Sequence, residues 1–172
     1  SFDISSEELG KLFEMLSGNE EPFNHRLIRF IAEHKDEISL PETDEESRLN
    51  PDEEYISELK KYICKALRQT GVTVTESVDK NIRNWLGAKD YTMTKNQQRK
   101  SFFQLSFALG LSVDDTTQMF NKLFAQPAFI REPESIIYRY CLEKKMTFEQ
   151  ADTLHKDYLL KSEEAEKAEG EI

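Results

Sequence analysis

The chain has 172 residues, of which 38% are hydrophobic and 33% charged, and a formal net charge of −10. With six glycines, five prolines and two cysteines, it is neither collagen-like nor Gly/Ser-rich, and it is not a disulfide scaffold. Its length suits one soluble domain with a real core, with or without an appendage.

Read in chain order, the signals are helical. Ser5 or Ser6 followed by Glu8 and the apolar set Leu9, Leu12, Phe13 and Leu16 predicts a short capped helix ending near Gly18. Phe23, Leu27, Phe30, Ile31 and Ile38 mark one face of a second helix. The segment SLPETDEESRLNPDEE, residues 39–54, is acidic and almost without apolar residues, which reads as an exposed loop or linker. Asn50 with Pro51 then signals a helix start, and Tyr55, Ile56, Leu59, Ile63, Ala66 and Leu67 continue at helical spacing up to Gly71.

Thr75 caps a helix that carries Val78, Ile82, Trp85 and Leu86 inward, with Gly87 as a left-handed stop. Thr94 with Gln97 forms a capping box, and SFFQLSFALGL behind it is apolar nearly all round, the pattern of a central helix packed on several sides. Ser112 with Asp115 opens a helix through Val113, Phe120, Leu123 and Phe124, which ends before Pro127. Pro133 opens the next, through Ile136, Ile137, Tyr140 and Cys141. Thr147 with Gln150 opens the last, through Phe148, Ala151, Leu154, Tyr158 and Leu159, and the polar segment beyond Lys161 is expected to be disordered.

A shift of 35 residues lays SFFQLSFALGLSVDDTTQMF over ESIIYRYCLEKKMTFEQADTL, with Phe102 on Ile137, Ser112 on Thr147 and Val113 on Phe148. Both segments read as helix, short turn, Ser/Thr cap, helix, so they predict two similar hairpins rather than a longer array.

The charge is unevenly placed. Residues 1–59 hold 5 Lys/Arg against 17 Asp/Glu, residues 60–100 hold 10 against 3, and residues 101–172 hold 8 against 13. The segment nets of −12, +7 and −5 make up the −10 of the chain. The basic stretch is of the type that contacts phosphates, because charge contacts are local and are screened beyond about 10 Å. The same residues also suit solvated helix faces, and the acidic N-terminal half suits docking on a basic partner.

Other chemistry finds little footing. His25, His34 and His155 lack the spacing of a zinc site and have no cysteine neighbour. No GxxxxGK, GxGxxG or GxSxG occurs, and the acidic segment lacks the alternating ligands of a calcium loop. Cys64 and Cys141 each lie among apolar residues and read as buried free thiols in a reducing compartment. With no signal peptide and no run of about 18 apolar residues, the expectation is a cytoplasmic protein without a membrane span.

The stretch ICKALRQTGVTVTESVDKNIRNWLGAKDYTMTKNQQRKSFFQLSFALGLSVDDTTQMF, residues 63–120, resembles a divergent lambda-repressor-like helix-turn-helix domain of the Xre type, as found in Firmicutes, their phages and plasmids. The parts that carry the likeness are LRQTGVT in the opening helix, NWLGAKD at a recognition-helix end with a Gly-Lys loop, and LSFALGLSVDDTTQMF, similar to the closing helices. FIREPESIIYRYCLEKKMTFEQADTL is similar to an extension seen behind such domains, which takes the resemblance to residues 63–157. It implies that Asn81, Arg83 and Asn84 lie at the end of the recognition helix, where Asn and Arg can read base edges. Lys80, Lys89, Lys95 and Arg99 would then contact phosphates.

The expected architecture is all-α, a multi-helix bundle of about eight helices with a degenerate helix-turn-helix core. It divides into an acidic N-terminal helical pair (1–38), an acidic linker (39–50), a helical domain (51–160) and a disordered tail (161–172). The expected function is a non-enzymatic DNA-binding regulator acting on double-stranded DNA, with no metal or cofactor. The alternative is a protein-interaction module or inhibitor on a degenerate helix-turn-helix scaffold that docks a basic partner through its acidic surface, and either role is compatible with a homodimer.

Overall fold

The computed structural model describes residues 3–16, 21–34 and 52–170, and among these the chain forms eight helices and no strand. They are α1 (Ser6–Leu16), α2 (Phe23–His34), α3 (Glu53–Gln69), α4 (Glu76–Gly87), α5 (Asn96–Ala108), α6 (Val113–Phe124), α7 (Pro133–Glu143) and α8 (Phe148–Gly170). Helix α5 lies at the centre, with Phe102, Phe103, Leu105, Ser106 and Phe107 all buried, as its all-round apolar sequence predicts. The ring of Phe102 meets Trp85 of α4 at 4.5 Å and Phe124 of α6 at 4.7 Å between centroids.

Around this centre α3 packs on α4 and α5, α2 on α4 and α6, α6 on α7, and α8 on α5 and α7. Helix α2 contributes Phe23, Leu27, Phe30 and Ile31 to the same core as Leu59, Ile82 and Phe120. Helix α2 therefore does not stand apart from 51–160: its apolar face is buried against helices that lie beyond the acidic segment. Residues 39–50 and Ile38 lie outside the described residues.

The helix starts follow local polar chemistry. Thr75 Oγ1 accepts from Val78 N at 3.2 Å, and Ser112 Oγ accepts from Asp115 N at 3.0 Å. Thr147 and Gln150 form a reciprocal capping box, with Gln150 N donating to Thr147 Oγ1 and Thr147 N to Gln150 Oε1. Two starts differ from the sequence reading. Asp52, rather than Asn50, caps α3 by accepting from Tyr55 N at 2.8 Å. At α5 the reach-back comes from Gln98 rather than Gln97, its Oε1 accepting from Thr94 N and Lys95 N at 2.7 and 2.9 Å.

Three helix ends share one hydrogen-bonded stop. Val72 N donates to Leu67 O and Gly71 N to Arg68 O; Leu111 N donates to Ser106 O and Gly110 N to Phe107 O; Met146 N donates to Cys141 O and Lys145 N to Leu142 O. The pivots are left-handed, with φ of 87° at Gly71, 63° at Gly110 and 55° at Lys145. This is the stop in which a left-handed residue lets two amides satisfy carbonyls of the last helical turn. The pairs α3–α4, α5–α6 and α7–α8 are thus three serial hairpins, one more than the 35-residue shift revealed. Gly87 is not a left-handed stop, because α4 ends through Ala88 in an extended conformation. Beyond Lys161 the chain remains helical to Gly170, where the sequence reading placed a disordered tail. That segment holds no proline, and its Ala, Glu and Lys residues are strong helix formers.

Candidate nucleic-acid interface

Helix α4 has two faces. Ile82, Trp85 and Leu86 are buried against α2 and α3, while Lys80, Asn81, Arg83 and Asn84 are exposed. Helical spacing sets Lys80, Arg83, Asn84 and Gly87 together on the outward side. Lys89 and Lys95 are exposed at the two ends of the connection to α5. None of Lys80, Arg83, Lys89 and Lys95 makes an ion pair among the described residues, so their charges face solvent.

The C-terminal end of α4 is held by the start of α2. Phe23 N donates to Lys89 O at 2.8 Å and Asn24 N to Ala88 O at 2.9 Å, and Asn24 Nδ2 donates to Leu86 O at 3.4 Å. Free amides at one helix start thus satisfy free carbonyls at another helix end. The arrangement fixes the backbone that carries Lys89. On the opposite flank Lys60 Nζ meets Asp79 Oδ2 at 3.1 Å, tying α3 to α4 and compensating an acid next to Lys80. Cys64 Sγ lies 3.9 Å from Asp79 Oδ1 in the same junction, where burial first and then the Asp79 charge raise its thiol above the ordinary value.

Arg99 stands apart from the other six residues of the predicted set. Its guanidinium donates to Gln126 Oε1 at 3.3 Å, Pro127 O at 3.1 Å and Ala128 O at 2.6 Å, and it lies over the Phe120 ring at 5.1 Å. Burial lowers its pKa from the usual guanidinium value, against the raising influence of Glu132 and Glu134. These bonds make Arg99 a clamp between α5 and the α6–α7 connection rather than a solvent-facing cation. Lys100 likewise points to Asp152 of α8, at 3.7 Å.

The aromatic side chains near this face turn inward. Trp85 is 4% exposed, and Tyr91 stacks on Phe23 at 5.0 Å between centroids. A short helix–turn–helix connection elsewhere, Leu109–Ser112 between α5 and α6, leads into a first turn with Asp114 and Asp115. Those two carboxylates would oppose phosphate, whereas the outward face of α4 presents cations.

A groove of about 940 Å³ opens at the end of the bundle where the three hairpin turns gather, with Thr70, Gly110 and Lys145 among its lining. Its rim mixes Arg139 and Lys145 with Asp114, Asp115 and Glu143, so it selects no charge. Among the described residues no three metal-ligating side chains come together, and no helix is long and apolar enough to cross a membrane. The chain finds no match among family models, curated proteins or solved structures.

Proposed function

We propose that the protein binds double-stranded DNA through the outward face of α4 and the connection that follows it, as a non-enzymatic regulator on a degenerate helix-turn-helix scaffold. The observation that carries this reading is the open face of α4, with Lys80, Arg83 and Asn84 outward and the cations free of ion pairs. Lys80, Lys89 and Lys95 contact phosphates, which hold the protein in register without reading sequence. Asn81, Arg83 and Asn84 have the donors and acceptors that base edges in the major groove require. Duplex suits this face better than a single strand, because single-strand binders stack bases on exposed aromatic rings and the rings here are packed in the core. Arg99 has no part in the contact.

The overall negative charge need not oppose this, since phosphate contacts are local and charges beyond about 10 Å are screened by salt. Fluorescence anisotropy of a labelled random-sequence duplex tests the reading. Binding is expected at low salt, weakening steeply as salt rises. No binding to duplex at low salt would overturn it.

A further inference from the structure

We infer that duplex DNA also contacts the C-terminal half of α3, where Lys65 and Arg68 bind backbone phosphates; this rests on duplex binding by α4. Lys61, Lys65 and Arg68 follow one another at i, i+4 and i+7, so they form one stripe along α3. Lys65 and Arg68 are exposed, and neither makes an ion pair among the described residues. Lys61, by contrast, meets Glu58 at 3.3 Å.

Two contacts fix the side on which this stripe lies. Lys60 Nζ meets Asp79 Oδ2 at 3.1 Å and Cys64 Sγ lies 3.9 Å from Asp79 Oδ1, so the Lys60–Cys64 ridge of α3 abuts the Asp79 ridge of α4. On α3 the buried Leu59, Ile63 and Leu67 lie on one side of that ridge, and helical spacing puts Lys61, Lys65 and Arg68 on the other. On α4 the buried Ile82 and Leu86 lie on one side of Asp79, with Arg83 and Lys80 on the other. Both cationic stripes therefore look out to the same side, across one seam. Axes of packed helices stand about 8–10 Å apart. With α4 along the major groove, which is about 12 Å wide, α3 then stands over the strand that borders it.

The local charge fits a phosphate strand. Residues 60–68 and 76–83 hold six cations, Lys60, Lys61, Lys65, Arg68, Lys80 and Arg83, against Glu76 and Asp79, a net of +4. Toward the start of α3 the stripe turns acidic with Glu54 and Glu58, so the contact ends short of Lys61, whose charge Glu58 already meets. Arg68 is not needed to satisfy the helix end either. Ala66 O, Leu67 O and Arg68 O accept from Thr70 N, Val72 N and Gly71 N, which leaves the guanidinium available to an outside anion.

Anisotropy of a labelled random-sequence duplex across a salt series tests the inference, with the full chain, a Lys65→Gln, Arg68→Gln double variant and Lys61→Gln as the control. Five phosphate contacts, from Lys65, Arg68, Lys80, Lys89 and Lys95, predict a wild-type log–log slope of about −4.5. The double variant is expected to bring it to about −2.7 and to weaken binding about ten-fold or more at low salt, whereas Lys61→Gln leaves the slope unchanged. Circular dichroism checks that each variant folds, since these side chains are exposed and glutamine suits a helix. A double variant with the wild-type slope and affinity overturns the inference and leaves binding by α4 standing, as does a Lys61→Gln variant that lowers the slope by about one. A wild type that binds no duplex overturns both.

Discussion

The hydroxyl of Thr70, at the end of α3, accepts a hydrogen bond of 2.9 Å from the backbone N–H of Phe148, which opens α8. The carbonyl of the same threonine accepts from Glu149 N at 3.0 Å, so one residue caps a helix that starts 78 positions further on. Thr70→Val keeps the shape and leaves the buried Phe148 amide without that acceptor. The expected loss is about 1–2 kcal/mol of stability, with Thr70→Ser near neutral, measured by urea unfolding.

The neighbouring pivot admits only glycine. A Cβ at Gly71 would lie 2.5 Å from Glu149 Cβ, on a backbone of φ 87°. Gly71→Ala is expected to cost about 2 kcal/mol or more, because left-handed strain and a clash against helix α8 add. Lys145 occupies the equivalent pivot with a side chain, at φ 55°. There the opposite change, Lys145→Gly, relieves strain and raises stability by up to about 1 kcal/mol in the same unfolding experiment.

Arg99 and Arg83 separate clamp from contact. Arg99→Lys loses the fork that reaches Gln126, Pro127 and Ala128 together, so the expected cost is about 1–3 kcal/mol of stability with unchanged DNA affinity of the folded fraction. Arg83→Ala is expected to leave the unfolding midpoint nearly unchanged and to weaken duplex binding. Paired melts and anisotropy titrations read both effects.

Asp152 sets an acid dependence. Burial pushes its carboxyl up, but the hydrogen bond from Lys156 and the charges of Lys100, Lys156 and His155 together hold it below the ordinary value. A carboxyl depressed in the folded state contributes stability that is complete above its unfolded pKa of about 3.9 and is lost as pH falls through the folded value. The advantage of the wild type over Asp152→Asn should therefore be full at neutral pH, begin to fall near pH 4 and vanish only as the pH drops below the lower, folded value. Urea midpoints across that range check it.

Much of the fold is legible in the chain because helix starts and stops are local events. Thr75, Ser112 and Thr147 stand where their side chains cap, and Gly71 and Gly110 stand where a left-handed residue is needed. The third stop is hidden because Lys145 fills a position that glycine usually marks. The first hairpin escapes the 35-residue shift because Thr75 lies four positions beyond Gly71, whereas Ser112 lies two positions beyond Gly110. The place of α2 in the core is likewise non-local, since its apolar spacing predicts a helix face and not what covers it. For the site, exposure of Lys80 and Arg83 follows from the apolar spacing of Ile82, Trp85 and Leu86. The turn of Arg99 toward carbonyls 28 and 29 positions away does not, because reach across the fold leaves no periodic mark.

The most direct test of the account is the salt dependence of duplex binding for the wild type and for Lys80→Glu, Arg83→Glu, Lys89→Glu and Lys95→Glu made singly and together. Three phosphate contacts, from Lys80, Lys89 and Lys95, contribute about −3 to the log–log slope for the wild type, and each single reversal of these lysines should reduce its magnitude by about one. The fourfold variant should fold normally and fail to bind. A wild type with no salt-dependent affinity, or a fourfold variant that binds duplex like the wild type, would contradict it.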